Sequence, residues 1–304
     1  MDAAKEELAN IAEKARKDGK QRWTCIRQLQ MAHAGLRPTR PTAMWKENGE
    51  VTRSPEEVKQ RWHDHFNDVL NVPSQCRQET IDEIPSHPTE WELDDPPTCE
   101  ELTVALSKLK RGKAGGKTGI MPQLIVHCTG AELTDRLLQL TQCVWQEGTV
   151  VEDGRDAEIV PIPKTGNLKL CDNWRGISLS DVVGKVFARI LQERLQKLAE
   201  KVLPESQCGF RKGRGCVDMI VAARQLLEKC WEHDDVLFVL FIDLKKAYHS
   251  VPRDALWGVL RKCGVPPTMP SIIRSFHDGM LAQVRVGGDL TTNSIEVKNG
   301  VRQG

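Results

Sequence analysis

Asp243 is the residue whose setting most plainly suits chemistry. It closes the run VLFVLFI at 236–242, seven apolar residues without a charge. Such a run predicts a strand buried on both faces. A carboxylate delivered at the end of a buried strand can hold a hard metal ion or act as a general base. The same position also suits a carboxylate that caps the following turn. Two basic segments offer a second chemistry. Residues 108–117 (KLKRGKAGGK, including Lys113) carry five basic and no acidic side chains among glycines. Phe210, Arg211, Lys212 and Arg214 place an aromatic ring beside three cations. Phosphate neutralisation together with ring stacking is how single-stranded nucleic acid is gripped; a solvated surface loop has the same composition. His63 and His65 lack further ligands at metal-binding spacing. The ten cysteines include no CxxC pair, and the spacing of Cys208 and Cys216 fits no common zinc pattern.

The elements that must position these residues are legible in part. Ser54, Pro55 and Glu57 read as a helix start with a capping box, followed by Val58, Trp62, Phe66 and Val69 at helical spacing. Thr98 and Glu101 form a second capping box, opening a helix through about Lys110. Leu133, Leu137, Leu140 and Val144 mark a further helix ended by Gly148. AEIVPIPK at 157–164 has a strand pattern, and helices are expected near 3–34, 181–201, 216–231, 253–263 and 269–277. Asn48-Gly49 signals a turn within 35–53. AQVRV and SIEV, with Gly287-Gly288 between them, read as a hairpin. Residues 71–97 are acidic and proline-rich and read as a linker. We expect strand 236–243 to lie beside that hairpin, with helix 253–263 on one face.

With 304 residues the chain can bury a sizeable core in one large or two ordinary domains. No apolar run approaches the ~20 residues of a membrane span, and the charged start is unlike a secretory signal. Scattered, unpaired cysteines fit reduced thiols in an intracellular protein. The net charge is +1, but residues 51–100 hold 4 basic and 12 acidic side chains, so a mildly basic body stands beside an acidic segment.

Several of these segments together resemble one family. FIDLKKAYHSVPRDALW at 241–257 is similar to the first palm motif of reverse transcriptases from non-LTR (LINE-type) retrotransposons. EIVPIPKTGNLKLCDNWRGISLSDVVGKVFARIL at 158–191 resembles that family's fingers, ESQCGFRKGRGCVDMI at 205–220 its next block, and NGVRQG at 299–304 the start of its second palm motif. Residues 20–70 more weakly resemble the segment joining an upstream endonuclease to the polymerase.

The resemblance implies an α+β fold: right-hand polymerase fingers (98–235) and an incomplete palm (236–304), preceded by a helical extension and acidic linker (1–97). It implies RNA-directed DNA synthesis from an RNA template, a DNA primer and deoxynucleotides with Mg²⁺, in the nucleus or cytoplasm. Asp243 matches the first catalytic, metal-holding aspartate. Tyr248 matches the bulky residue at the sugar 2′ position. Lys164 and Arg175 match contacts to the incoming triphosphate, and Gln303 and Gly304 the motif near the nascent base pair. Phosphate suits arginine as a fork and lysine as a point charge.

The chain departs from the family in three places. It reaches Gly304 without the Ala-Asp-Asp hairpin: Asp94-Asp95 precedes two prolines, and Asp234-Asp235 precedes the apolar run. His249 stands where a second aspartate is usual. KAGGKTG at 113–119 replaces a Pro-Asp turn, and Gly154 a common tryptophan. Two-metal catalysis holds its ions ~3.5–4 Å apart with several carboxylates, which Asp243 alone does not supply. The expectation is therefore a polymerase fragment inactive by itself; the alternative is a catalytically dead nucleic-acid-binding remnant or a product without function.

Overall fold

The structure, a computed structural model, describes residues 43–302 except 111, 129, 288 and 289. The helix expected near 3–34, Gln303, Gly304 and the Gly288 half of the hairpin turn lie outside the described residues. A small hairpin opens the described chain. Trp45 bridges Val51, and the Asn48 side chain accepts a hydrogen bond from the Glu50 amide at 3.0 Å.

Helix α1 (Pro55–Leu70) starts as its sequence dictates. Ser54 Oγ accepts from the Glu57 amide at 3.2 Å. The Glu57 carboxylate accepts from the Arg53 amide at 2.7 Å, one residue before the cap, so the return leg of the capping box is displaced. Val58, Trp62, Phe66 and Leu70 form its buried stripe; burying aromatic and aliphatic side chains of this size contributes ~2 kcal/mol each. A short helix α2 (Gln78–Asp82) and a 3-10 turn at Trp91–Asp94 follow. Both legs of the capping box form at the start of α3 (Cys99–Ser107), and α4 (Pro122–Cys128), α5 (Ala131–Glu147) and the single-turn α6 (Glu152–Arg155) come next. Gly148 closes α5.

Strands β1 (Ala157–Pro163) and β2 (Trp174–Leu179) form an antiparallel pair. Helices α7 (Val182–Val202), α8 (Cys216–Glu232), α9 (Arg253–Lys262) and α10 (Thr268–Ser275) lead to β3 (Leu281–Gly287), β4 (Leu290–Thr291) and β5 (Ile295–Glu296). The five strands make one mixed sheet. β3 pairs parallel with β1 on one edge and antiparallel with β4 and β5 on the other. Two cores result. Met44, Trp62, Phe66, Trp174, Val284 and Ile295 fill the space between α1 and the sheet. Leu102, Trp145, Val186, Ile190, Met269 and Ile272 fill a helical core among α3, α5, α7 and α10. The mixed α+β architecture matches the expectation.

The run 236–243 does not. It has no regular structure and belongs to no sheet. Phe238 is 91 % and Phe241 90 % exposed. The reason lies in the hydrogen-bonding edges. β1 supplies one edge of β3 and the β4–β5 arm takes the other, so the place foreseen for this strand is filled. Helix α9, expected against it, instead packs on α2 and α10. The run pairs with none of the edges left open at β2, β4 or β5, so neither of its faces is buried by the sheet.

The acidic segment 71–97, read as a linker, is packed onto the body: the His87 and Glu90 amides donate to the Lys262 and Gly264 carbonyls, the Trp145 indole donates to the Asp94 carbonyl, and a buried cation gathers its end. Arg194 on α7 binds both carboxylate oxygens of Glu101, at 2.7 and 2.6 Å, and donates to the carbonyls of Leu93, Asp95 and Pro96. Its guanidinium also lies over the Trp145 ring, 4.7 Å from the centroid. Removing it leaves a carboxylate and three carbonyls short of a partner. Arg194→Met should cost ~3 kcal/mol in urea unfolding; a loss under ~1 kcal/mol would show that the segment is held by something else.

Two buried histidines give a pH dependence. Burial pushes the pKa of both His65 and His277 down to about 4, from 6.5. The unfolded chain then binds more protons between those values, so their contribution is complete above pH 6.5 and is lost as pH falls toward 4. Each histidine should cost ~2 kcal/mol between pH 7 and pH 5. His65→Gln and His277→Gln should each flatten that slope; a wild-type stability unchanged across the interval would contradict the burial of both rings.

Candidate functional site

One cleft of about 440 Å³ gathers residues from four parts of the chain. α1 contributes His65 and Phe66. The β1–β2 turn contributes Lys164 and Asp172, β2 contributes Trp174 and Arg175, and the turn after the apolar run contributes Asp243 through His249. Lys164, Arg175, Asp243 and Tyr248 thus lie together although they are far apart in sequence.

The β1–β2 pair fixes the first two cations. Lys164 continues the ladder beyond β1, its amide donating to the Asn173 carbonyl at 2.7 Å, and its ammonium reaches the Asp172 carbonyl at 2.9 Å. Arg175 stands opposite Ile162 on β2 and is exposed. The platform beneath them is α1. The Phe66 ring lies so close to Gly176 that a Cβ there would meet its Cε1 at 2.5 Å. His65 packs beside Phe66 and Trp62. With its pKa pushed down to about 4 by burial, it presents a neutral ring to the cleft at pH 7.

The turn carrying Tyr248 is pinned by the chain's last described residues. The Val301 amide donates to the Tyr248 carbonyl at 2.8 Å, and the Gly300 amide to Val251 at 3.1 Å. Arg253 clamps the same segment by donating to the carbonyls of Gly300 and Asn299, and ties it to the His277 carbonyl. Gly300 has φ +71°, and a Cβ there would fall 2.5 Å from His249 Cα and 2.7 Å from the Tyr248 carbonyl oxygen. Gly300 and Val301 therefore meet the Tyr248 turn backbone to backbone.

The electrostatics favour an anion. Four cations (Lys164, Arg175, Lys245 and Lys246) face two carboxylates, Asp172 and Asp243. Lys246 also depresses the pKa of His249, after burial, which is the larger cause. Sequence reading missed His65, Asp172, Lys245 and Lys246. The two lysines lie two and three residues after Asp243 and were open to the same argument; His65 is reached only through tertiary packing. For a divalent metal the donor set is short: no group of three His, Cys, Asp or Glu side chains able to hold a metal occurs among the described residues. The residues present do not complete a magnesium site.

The second basic segment is divided by the fold. Phe210 is 88 % exposed, and Lys212 is exposed. Arg211, expected to meet nucleic acid, is buried and spent internally, binding the Glu200 carboxylate at 2.8 and 3.1 Å and the carbonyls of Pro204 and Gln207. Arg214 pairs with Glu205. Burial under a salt bridge removes Arg211 from any phosphate contact. Lys113 is exposed in the other basic loop, where Lys108 pairs with Glu193 at 2.7 Å.

Gly300→Ala tests the backbone contact directly. Tyr248 is the sole tyrosine, so its ring resonances in an NMR spectrum report on this turn alone. The substitution should shift them and lower the thermal midpoint; unchanged resonances would mean that the two segments do not touch.

Comparison with known proteins agrees with the geometry. Residues 162–304 match the family model described as reverse transcriptase (RNA-dependent DNA polymerase). The transposon TX1 uncharacterized 149 kDa protein of Xenopus laevis is 25 % identical over 269 residues, 86 % of this chain and 20 % of that protein. The RNA-directed DNA polymerase from mobile element jockey of Drosophila funebris is 25 % identical over 217 residues, 69 % of this chain and 23 % of its own length. The Pol polyprotein of the type-1 retrotransposable element R2 of Popillia japonica is 26 % identical over 149 residues, 47 % of this chain and 20 % of its own. The chain spans about a fifth of the length of these relatives. Residues 162–304 are thus similar to reverse transcriptases, and the chain is similar over most of its length to proteins of non-LTR retrotransposons.

Proposed function

We propose that this chain supplies the nucleotide-gripping part of an RNA-directed DNA polymerase, with fingers over 98–235 and part of a palm over 236–304, preceded by an extension over 1–97. The observation that carries the reading is the common cleft of Lys164, Arg175, Asp243 and Tyr248. In this reading Lys164 and Arg175 hold the triphosphate of an incoming deoxynucleotide. Lys245 and Lys246 add positive potential, and Tyr248 crowds the sugar 2′ position. Asp243 is the one catalytic carboxylate. Gln303 and Gly304 lie near the nascent base pair. The exposed cations Lys113 and Lys212, with the ring of Phe210, meet the backbone and bases of an RNA template or DNA primer.

The family generally uses divalent metal ions, and the described residues do not complete such a site. The reading therefore separates binding from catalysis. No helix among the described residues is long and apolar enough to cross a membrane.

The test is binding of a fluorescent deoxynucleoside triphosphate to residues 1–304. Lys164→Ala and Arg175→Ala should each weaken it about tenfold, since a charge-assisted contact to phosphate contributes ~1.5–3 kcal/mol. Tyr248→Ala should narrow the preference for deoxy- over ribonucleotide. Binding indifferent to both cation substitutions would overturn the reading. Primer extension with Mg²⁺ or Mn²⁺ should not be detected; extension that disappears in Asp243→Asn would reveal a further source of carboxylates.

A further inference from the structure

Asn71 ends helix α1, far upstream in sequence, and its side chain reaches the segment that follows β5. Its Nδ2 donates to Asn67 Oδ1 at 3.0 Å, one turn back on the helix, and to the Glu296 carbonyl at 2.9 Å. Its Oδ1 accepts from the Lys298 amide at 2.8 Å. An asparagine side chain offers two N–H donors and one carbonyl. All three are engaged here, so a single orientation of the amide satisfies them. Glu296 and Lys298 flank Val297, whose own amide donates to the Met280 carbonyl at 2.9 Å. The Asn71 amide thus does for the backbone around Val297 what a peptide group of an adjacent parallel strand would do. A second tie runs beside it: Asn299 Nδ2 donates to the Val72 carbonyl at 2.9 Å.

The segment held in this way is the one that meets Tyr248. Gly300 and Val301 lie two and three residues past Lys298, and their amides bind the carbonyls of Val251 and Tyr248. A Cβ on Gly300 would collide with the turn, so the two backbones have no slack between them. The ladder from β5 to β3 stops at Glu296. Beyond it, Asn71 and Asn299 fix the position from which Gly300 and Val301 reach the turn. Asn71 itself does not line the cleft. Resting on the reading of that cleft as a nucleotide site, we propose that Asn71 is a positioning residue for sugar selection. It acts through 296–301 on the backbone of Tyr248. Lys164 and Arg175 are held separately, by the β1–β2 pair. Releasing 296–301 therefore lets the Tyr248 ring withdraw from the sugar 2′ position while the triphosphate contacts stay. A small displacement of a group that selects by contact is enough to lose the selection.

The test is the ratio of dissociation constants for a fluorescent ribonucleoside and deoxynucleoside triphosphate on residues 1–304. Asn71→Ala should lower that ratio about threefold, with the deoxynucleotide affinity falling less than about twofold. Asn299→Ala, which cuts the neighbouring tie, should act in the same direction. The ring resonances of Tyr248 should shift in both variants. Leu137→Ala, in the helical core, should lower the thermal midpoint and leave both the ratio and the resonances in place. In a Tyr248→Ala background Asn71→Ala should change the ratio no further, because both act through one ring. If Tyr248→Ala leaves the wild-type ratio unchanged, the nucleotide reading itself fails. If Tyr248→Ala lowers the ratio and neither Asn71→Ala nor Asn299→Ala does, the positioning role alone is overturned. A ratio that falls as far in Leu137→Ala as in Asn71→Ala would also overturn it, since general loss of stability would then be the cause.

Discussion

The parallel pairing of β1 with β3 is the constraint on which the site depends. It joins Ala157, Glu158 and Ile159 to Ala282, Gln283 and Val284, across the whole intervening chain of helices. Glu158 reaches across the pair to bind Arg285 with both carboxylate oxygens. On the far edge of β1 hangs β2 with Arg175, and past the end of β1 stands Lys164. Beyond β3 the chain returns through β5 to the 299–301 segment that pins Tyr248. Helix α1 lies over β3 and β5 and places His65 and Phe66 in the cleft. Pulling β1 and β3 apart would separate the cations from the turn that carries Asp243.

The same pairing explains what became of the apolar run. β3 accepts a neighbour on each edge and no more, and both are taken. Residues 236–243 keep the composition of a buried strand and none of its contacts. A strand pattern states what a segment can do once an edge is offered; it does not say whether one is present.

Local chemistry was legible in the sequence where the cause is local. The caps at Ser54 and Thr98, the glycine stop at Gly148 and the α1 stripe of Val58, Trp62 and Phe66 follow from near neighbours. The grouping of Lys164, Arg175, Asp243 and Tyr248 was implied by resemblance; spacing carries no information about it. What stayed hidden depends on partners distant in sequence. Arg211 reads as a free cation beside Phe210 until Glu200 folds onto it. Arg194 gives no sign in sequence that it ties 93–96 to the helical core. Nothing in the sequence marks His65 for the cleft, and tertiary packing places it there.

The central claim is that these distant segments make one nucleotide cleft. Photo-crosslinking of residues 1–304 with an azido-substituted deoxynucleoside triphosphate, followed by mass spectrometric mapping, tests it most directly. Labelled peptides should come from both the 164–175 turn and the 243–249 turn, and excess unlabelled nucleotide should abolish both together. Label confined to α8, to the 108–117 loop or to only one of the two turns would contradict the account.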